Sequence, residues 1–251
     1  MAMSLALCYH AVSRDWPSTL AVSPEQLRGQ LTGLLRRGYR GVTFSELVLG
    51  GTRQKRVAVT FDDGCQSVVG LALPILRELG VPATIFVPTA FVGDPKPMSW
   101  PGIDQWTGTE YERELRCVGW DQLRGLLDEG WEVGSHTRSH PYLTDLDDES
   151  LAVELGDSRE TCRRELGAPC ASLAYPYGDH DRRVVAAARA AGYRAAGTMR
   201  PGPAEPLRWP RIGVFPADLP WRFRLKSSPT VARVRASALG RRLERSRQGR
   251  R

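Results

Sequence analysis

The sequence of 251 residues predicts an α/β protein built on a parallel β-sheet, either a barrel or a doubly wound sheet. Short apolar segments alternate with helical patterns over about 200 residues, as repeated βα units do. The segments VAVTF and ATIFVP are apolar throughout, which is typical of strands buried on both faces of a parallel sheet. A glycine follows each of five helical patterns, at Gly38, Gly80, Gly130, Gly167 and Gly192.

The predicted elements alternate in a regular order along the chain. Eight strands are predicted at residues 4–9, 41–44, 56–61, 83–89, 131–135, 171–175, 193–198 and 211–215. Helices are predicted at residues 24–37, 66–79, 120–128, 147–166 and 181–191. The first helix has a clear start, because Ser23 suits an N-cap and Pro24 suits the first helical position.

Two segments depart from this alternation. Residues 92–118 are rich in Pro, Gly and Trp, and predict an insertion over one end of the sheet, where substrate-contacting loops lie. A basic C-terminal tail, residues 222–251, follows one domain at residues 1–221. The tail has apolar residues at helical spacing, at Val231, Val234, Ala238 and Leu243. This pattern fits a solvated basic helix or, alternatively, an anchor to an anionic membrane surface.

Charge separates the tail from the rest of the chain. The formal net charge is +7, but residues 1–221 carry −3 and the tail carries +10. A mildly acidic body argues against nucleic acid as a specific partner. No apolar run is long enough to span a bilayer, and the first residues lack the basic start of a signal peptide. Five scattered cysteines without a CxxC motif fit free thiols. We therefore expect a cytoplasmic protein, peripheral to the membrane if the tail binds there.

Three predicted strands end in polar clusters, TFDDG, GSHTRSH and AYPYG, at the position where α/β barrels carry their active sites. His136 and His140 are four residues apart, so a single turn would put both rings on one side. Two imidazoles and one carboxylate make a metal site with open positions. Asp62 and Asp63 repel each other when both are ionised, unless a cation binds one and leaves the other as a base. The simpler explanations are a pair of surface histidines and an Asp-Gly turn.

The motifs TFDDG, SHTRSH and LAYPYG, in that order, resemble those of the NodB-type polysaccharide deacetylases, carbohydrate esterase family 4. The resemblance covers most of residues 56–215, through WDQLRGLLDEGWEVGSHTRSHPYLTDL to AAARAAGYRAAGTM. The opening LCYHAVS also resembles the subgroup that deacetylates poly-N-acetylglucosamine-like exopolysaccharides. The resemblance implies a distorted (β/α)7 barrel. It also implies a metal-dependent hydrolase that removes N-acetyl groups from an amino-sugar oligo- or polysaccharide or glycoconjugate.

The resemblance also implies roles for individual residues. Asp63, His136 and His140 match the ligands of a divalent metal, typically zinc. Asp62 matches the catalytic base, which takes a proton from the attacking water. Tyr177 matches the position whose backbone N–H helps to hold the oxyanion.

This sequence departs from the family pattern at two places. Ala174 stands where the third motif usually begins with Arg, and Arg211 is a candidate to supply that charge near Asp62. The late Leu-x-His motif, the usual source of the general acid, is absent. His10, at the end of the first strand, is our first candidate for this acid, and His180 is the second. The simpler explanations are a hydrogen-bonded residue at a strand end and a neighbour of a helix N-cap.

Aromatic residues in and near the insertion either stack on sugar rings or pack the insertion onto the barrel. They are Trp100, Trp106, Tyr111 and Trp120, and for Trp120 packing is favoured. Trp209 is a candidate to line an acetyl pocket. Two alternatives to an N-acetyl hydrolase stay open, namely the same metal–Asp machinery acting on a different amide, and a sugar-binding barrel without catalysis.

Overall fold

The computed structural model describes residues 4–51, 54–228 and 231. The strands are β1 (Ser4–Tyr9), β2 (Ala11–Val12), β3 (Ala21–Val22), β4 (Arg40–Val42), β5 (Arg56–Phe61), β6 (Ala83–Val87), β7 (Glu132–Ser135), β8 (Ser172–Ala174), β9 (Ala195–Thr198), β10 (Trp209–Pro210) and β11 (Ile212–Gly213). The helices are α1 (Pro24–Arg36), α2 (Phe44–Leu49), α3 (Leu73–Leu79), α4 (Trp120–Asp128), α5 (Asp148–Leu166), α6 (Arg182–Ala190) and α7 (Pro220–Lys226).

A parallel sheet forms a nearly closed barrel. Eight strands lie side by side in the order β10-β9-β8-β7-β6-β5-β1-β11. On one edge of β5, β4 pairs with the first half of the strand, and β6 pairs with the second half from Val59 onward. The first and last strands of this order, β10 and β11, are separated in the chain by Arg211 alone. Strand β10 pairs with β9 at one edge of the sheet, and β11 pairs with β1 at the other edge. Residues 209–213, the closing segment, therefore join the two edges of the sheet. The predicted barrel is confirmed over the doubly wound alternative.

The predicted elements are all present, with ends within two residues of their predicted positions when the π-helical turn Val68–Ala72 is counted with α3. The sequence analysis missed α2, α7, β10 and the two-stranded sheet of β2 and β3. Helix α2 starts with a capping box, in which Thr43 Oγ1 accepts from the Glu46 N–H at 3.3 Å and the Glu46 carboxylate accepts from the Thr43 N–H at 2.9 Å. The predicted strand 211–215 is shorter, because Arg211 turns its side chain to the barrel interior and pairing resumes only at Ile212.

The two faces of the barrel strands carry side chains of different size. The outer face of β1 and β5 is lined by large residues such as Leu7, Tyr9 and Phe61, which belong to the main hydrophobic core. The inner face carries small residues, and Phe44 of α2 packs among them, edge-on to Phe86 with ring centroids 5.6 Å apart. The small inner side chains are Ala6, Ala58, Ala174 and Ala195. This lining leaves room for polar groups inside the barrel.

The chain continues in packed structure beyond the predicted start of the tail. Helix α7 crosses residue 222, Phe223 is buried, and Arg37, directly after α1, donates a hydrogen bond to the Ser227 hydroxyl at 2.9 Å. The predicted helical spacing at Val234, Ala238 and Leu243 lies outside the described residues. Among the helices that the structure describes, none has the length and apolar character needed to cross a bilayer.

Candidate metal centre and active site

The carboxyl ends of β5, β7 and β8 lie at one edge of the barrel, since neighbouring parallel strands run in the same direction. Asp62 and Asp63 directly follow β5, and His136 directly follows β7. These three residues and His140 are all buried, with at most 5% of their surface exposed. The structure thus brings together the residues that the first two motifs singled out.

Asp63, His136 and His140 form one group of potential ligands. Asp63 Oδ1 lies 3.4 Å from His136 Nε2 and 3.5 Å from His140 Nε2, and one ligand atom from each residue lies within 4.8 Å of the others. Two ligands held tetrahedrally at about 2.1 Å from one Zn²⁺ are about 3.4 Å apart. Direct N–H···O hydrogen bonds are shorter, about 2.7–3.2 Å. The spacing therefore fits a divalent ion between these three residues.

The ring of His136 is oriented by the backbone of β8. Its Nδ1 lies 2.8 Å from the Ala174 carbonyl oxygen, which can only accept, so Nδ1 carries the hydrogen and Nε2 is free to bind an ion. Burial lowers the pKa of His136, but Asp63 and Asp62 outweigh burial and raise that pKa above its ordinary value. Burial lowers the pKa of His140 to about 3, so this ring is neutral at pH 7, the form that binds metals.

The loop between the two histidines is not a helical turn, and the prediction of one was wrong. Thr137 and His140 have positive φ angles of 67° and 65°, and Pro141 disfavours a helical conformation at the residue before it. Side chains replace helical hydrogen bonds, since Ser135 Oγ accepts from the Thr137 N–H at 3.0 Å and Thr137 Oγ1 accepts from the His140 N–H at 3.1 Å. The two rings still converge, with centroids 4.7 Å apart.

Glu154 of α5 holds this loop in place, and the sequence analysis missed it. The residue is buried, and its Oε2 accepts from the backbone N–H groups of Arg138 and Ser139, both at 2.9 Å. One turn further along α5, the Ser158 hydroxyl donates to the Thr137 carbonyl at 2.9 Å. In the sequence, Glu154 is one of several acidic residues on a polar helix. The only signal of its role is its four-residue spacing from Ser158, which places both side chains on one helix face.

Backbone strain is concentrated in the same motifs. Within the described chain, the non-glycine residues with positive φ are Asp63, Thr137, His140 and Tyr177. Such conformations cost of order 1–3 kcal/mol each and persist where the surrounding structure fixes them, as at active sites. Backbone geometry alone therefore indicates the same site as the ligand distances do.

Asp62 is held by Arg211, as the sequence analysis proposed. The guanidinium donates to both carboxylate oxygens, at 2.6 and 2.7 Å, and to Thr60 Oγ1 at 3.0 Å. Gly197 leaves space for Arg211, because a Cβ there would lie 2.6 Å from the Arg211 Nε. Burial raises the pKa of Asp62, but the guanidinium, together with His136 and His10, outweighs burial and holds that pKa well below its usual range. Cys8, which sequence reasoning missed, places its Sγ 3.3 Å from Asp62 Oδ2.

The structure places His10, and not His180, beside Asp62. A ring nitrogen of His10 lies within 4.8 Å of both an Asp62 carboxylate oxygen and Cys8 Sγ, and His10 Nδ1 has no hydrogen-bond partner within the described chain. His180 instead stacks on Tyr175 with centroids 5.0 Å apart, and its Nδ1 lies 3.0 Å from the Gly178 carbonyl oxygen. His180 therefore belongs to the turn after β8.

Aromatic residues of the insertion pack it onto the barrel. Trp100 is buried and stacks on the ring of His140, with centroids 4.1 Å apart. Trp106 contacts Trp16 and Tyr111 edge-on, at 5.8 and 5.5 Å. Two further tryptophans are half-buried against the hydrophobic clusters, Trp120 and Trp209. Trp100 of the insertion therefore supports a potential metal ligand at the strand ends.

Two exposed tyrosines flank the group of potential ligands. The ring of Tyr177 lies 4.7 Å from that of His140 and stacks on Tyr142 at 3.9 Å with an interplanar angle of 11°. Tyr142 is 43% exposed and Tyr177 is 37% exposed, so the pair presents an aromatic surface beside the site. Sequence reasoning singled out the backbone of Tyr177 but missed Tyr142.

The fold and this site define an α/β barrel with a candidate metal centre at its strand ends and a buried, ionised carboxylate beside it. The model of the family described as Polysaccharide deacetylase matches residues 50–196, more than half of the chain. The chain belongs to this family of metalloenzyme deacetylases.

Individual relatives agree with this assignment. The chain is 26% identical over 204 residues to YxkH of Bacillus subtilis, an alignment that covers 79% of this chain and 65% of YxkH. It is 28% identical over 185 residues to a chitooligosaccharide deacetylase of Rhizobium leguminosarum bv. trifolii, covering 71% of this chain and 70% of that enzyme. The structure of IcaB from Ammonifex degensii superposes with a TM-score of 0.71 at 25% identity, covering 90% of this chain and 97% of IcaB. The chain thus spans just under two thirds of the length of YxkH.

Proposed function

We propose that this protein is a metal-dependent hydrolase that removes N-acetyl groups from an amino-sugar oligo- or polysaccharide or glycoconjugate. The observation that carries the proposal is the convergence of Asp63, His136 and His140 beside the ionised Asp62. Family membership and the names of the relatives support the reaction and the class of substrate. A donor set of two imidazoles and one carboxylate suits Zn²⁺, which we propose as the metal.

The residues around the site have distinct tasks in this reaction. Asp63, His136 and His140 would hold a divalent ion, which would supply Lewis acidity for the acetyl carbonyl and lower the pKa of a water molecule. Asp62 accepts the proton of the attacking water, because its Oδ1 keeps a lone pair that neither Arg211 nor the Cys8 thiol uses.

The charges that develop later in the reaction need two further groups. The backbone N–H of Tyr177 donates to the tetrahedral oxyanion, and one such donor contributes about 3–4 kcal/mol to transition-state stabilisation. The ring of His10 donates a proton to the leaving amine, since it lies beside Asp62 on the same side of the barrel. The exposed pair of Tyr142 and Tyr177 offers a flat surface on which a sugar ring stacks.

Metal content and acetate release, measured on the same samples, test the proposal. Wild-type protein is expected to hold about one zinc ion per chain and to release acetate from N-acetylglucosamine oligomers, but not from simple amides. Asp62→Asn should keep the metal and lose about 10²–10⁴-fold in turnover, whereas His136→Ala should lose the metal itself. Glu149→Gln, at an exposed position on α5, is the control.

The outcomes separate the alternatives. Turnover of Asp62→Asn equal to that of the wild type would refute the assignment of the base. Metal without acetate release from any sugar or amide would support a sugar-binding barrel instead. For His10, the substitution His10→Gln should cut turnover with the metal content intact, and unchanged turnover would remove His10 from the mechanism.

A further inference from the structure

Three large apolar side chains are exposed on helix α7 and at its N-cap. Leu219, Trp221 and Leu225, which we call the α7 patch, are 53%, 63% and 56% exposed. Trp221 and Leu225 are four residues apart and share one face of the helix. Phe223, on the opposite face, is buried against the barrel. The helix is thus anchored by Phe223 and presents a large tryptophan and two leucines to the outside.

Basic groups surround the α7 patch. Arg222 and Arg224 are exposed, and neither forms an ion pair within the described part of the chain. The Arg222 guanidinium lies 5.7 Å from the ring of Trp221. Lys226, by contrast, is bound to Asp218 at 2.6 Å and is not available. Residues 229–251 add eight arginines and one acid, Glu244. Apolar and cationic groups therefore occur together where the described barrel ends.

We propose that the α7 patch docks on a bilayer surface that contains anionic lipid. Tryptophan prefers the level of the lipid headgroups, and leucines on one helix face enter the acyl boundary. Arginines such as Arg222 and Arg224 bind lipid phosphates, and the basic residues that follow in the sequence extend the same attraction. The helix would lie in the plane of the interface, with Phe223 still seated in the barrel.

Other partners fit this surface less well. A second copy of the chain would bring the same arginines against one another, and like charges oppose such a symmetric contact. A nucleic acid would use the arginines for phosphate contacts, but would leave Leu219 and Leu225 without a favourable environment. An anionic bilayer satisfies both the apolar and the cationic groups at once.

Co-sedimentation of the full-length protein with lipid vesicles tests this proposal. Vesicles of phosphatidylcholine mixed with phosphatidylglycerol at about 7:3 should pellet the protein, and phosphatidylcholine alone should not. The double substitution Trp221→Ser with Leu225→Ser should weaken binding by on the order of tenfold or more. Arg222→Gln with Arg224→Gln should weaken it by about fivefold for each arginine. Leu49→Ser with Val153→Ser removes two exposed apolar side chains on other helices and should bind as the wild type does.

A second readout reports on Trp221 itself. Subtracting the fluorescence emission of Trp221→Phe from that of the wild type gives the emission spectrum of Trp221. This spectrum should shift to shorter wavelength on the anionic vesicles, because the indole leaves water. Wild-type protein that stays in solution with the anionic vesicles would overturn the proposal. So would a Trp221→Ser, Leu225→Ser variant that binds as the wild type, since the residues after 228 would then bind alone. Unchanged acetate release by all variants shows that they are folded, because none of these positions lies in the catalytic site.

Discussion

Replacing Arg211 by Met tests whether the ion pair inside the barrel stabilises the fold. The guanidinium makes two short hydrogen bonds to Asp62 with 0% and 4% of the two side chains exposed. A hydrogen bond to a charged group contributes about 1.5–3 kcal/mol, and removing one partner of a buried pair costs about 3–5 kcal/mol. Arg211→Met should therefore lower the free energy of unfolding by about 3–5 kcal/mol, since Asp62 stays buried without its partner.

A double-mutant cycle separates the pair from the packing around it. The free energies of unfolding of wild type, Arg211→Met, Asp62→Asn and the double variant are measured in urea after dialysis against a chelator, so that metal binding does not contribute. With the charge at position 62 removed, Arg211→Met should cost about 2–3 kcal/mol less than it does in the wild type. Additive costs within about 0.5 kcal/mol would show that the two side chains are not coupled, and would refute the argument.

Three further substitutions test how the site is positioned. Glu154→Gln should lower metal affinity by about 10–100-fold with the fold intact, because a neutral amide oxygen accepts the two N–H groups of the histidine loop more weakly than a carboxylate does. Competition with a chelator measures the affinity, and Glu149→Gln, at an exposed position, is the control. Gly197→Ala should cost about 1–3 kcal/mol of unfolding free energy, since its Cβ would meet Arg211 at 2.6 Å. Gly156→Ala, in the middle of α5 with open space around it, should instead raise that free energy by about 0.5–1 kcal/mol in the same urea titration, and a loss of stability there would contradict our description of α5.

Much of the fold could be predicted because the barrel strands are buried on both faces. Continuous apolar runs such as β5 and β6 are easy to recognise, and helix-ending glycines such as Gly80 and Gly167 have positive φ in the structure. Helix α2 was missed because it is only six residues long, although Thr43 and Glu46 form a recognisable capping box. The closing of the barrel by residues 209–213 left almost no periodic pattern, because each strand of that segment is two residues long.

The site was predictable where it depends on residue type and less so where it depends on conformation. Asp63, His136 and His140 are metal-binding residue types at strand ends, and the structure places their ligand atoms together. The path of the histidine loop was not predictable, because it depends on side-chain hydrogen bonds from Ser135 and Glu154. The Ser135 contact is local, to Thr137, but Glu154 reaches the loop from the next helix, and no local pattern records that contact.

The position of Arg211 links the closure of the barrel to the state of the proposed base. Ala174 at the start of the third motif offers no charge, and the guanidinium reaches Asp62 from the closing segment instead. Because β10 and β11 pair with opposite edges of the sheet, these two pairings fix Arg211 on both sides at the point where it meets Asp62. In a barrel opened at this segment, Asp62 would lose the guanidinium, which is the strongest of the groups that lower its pKa. Closure of the barrel therefore favours the ionised base, and loosening the closing segment should reduce turnover before it unfolds the chain.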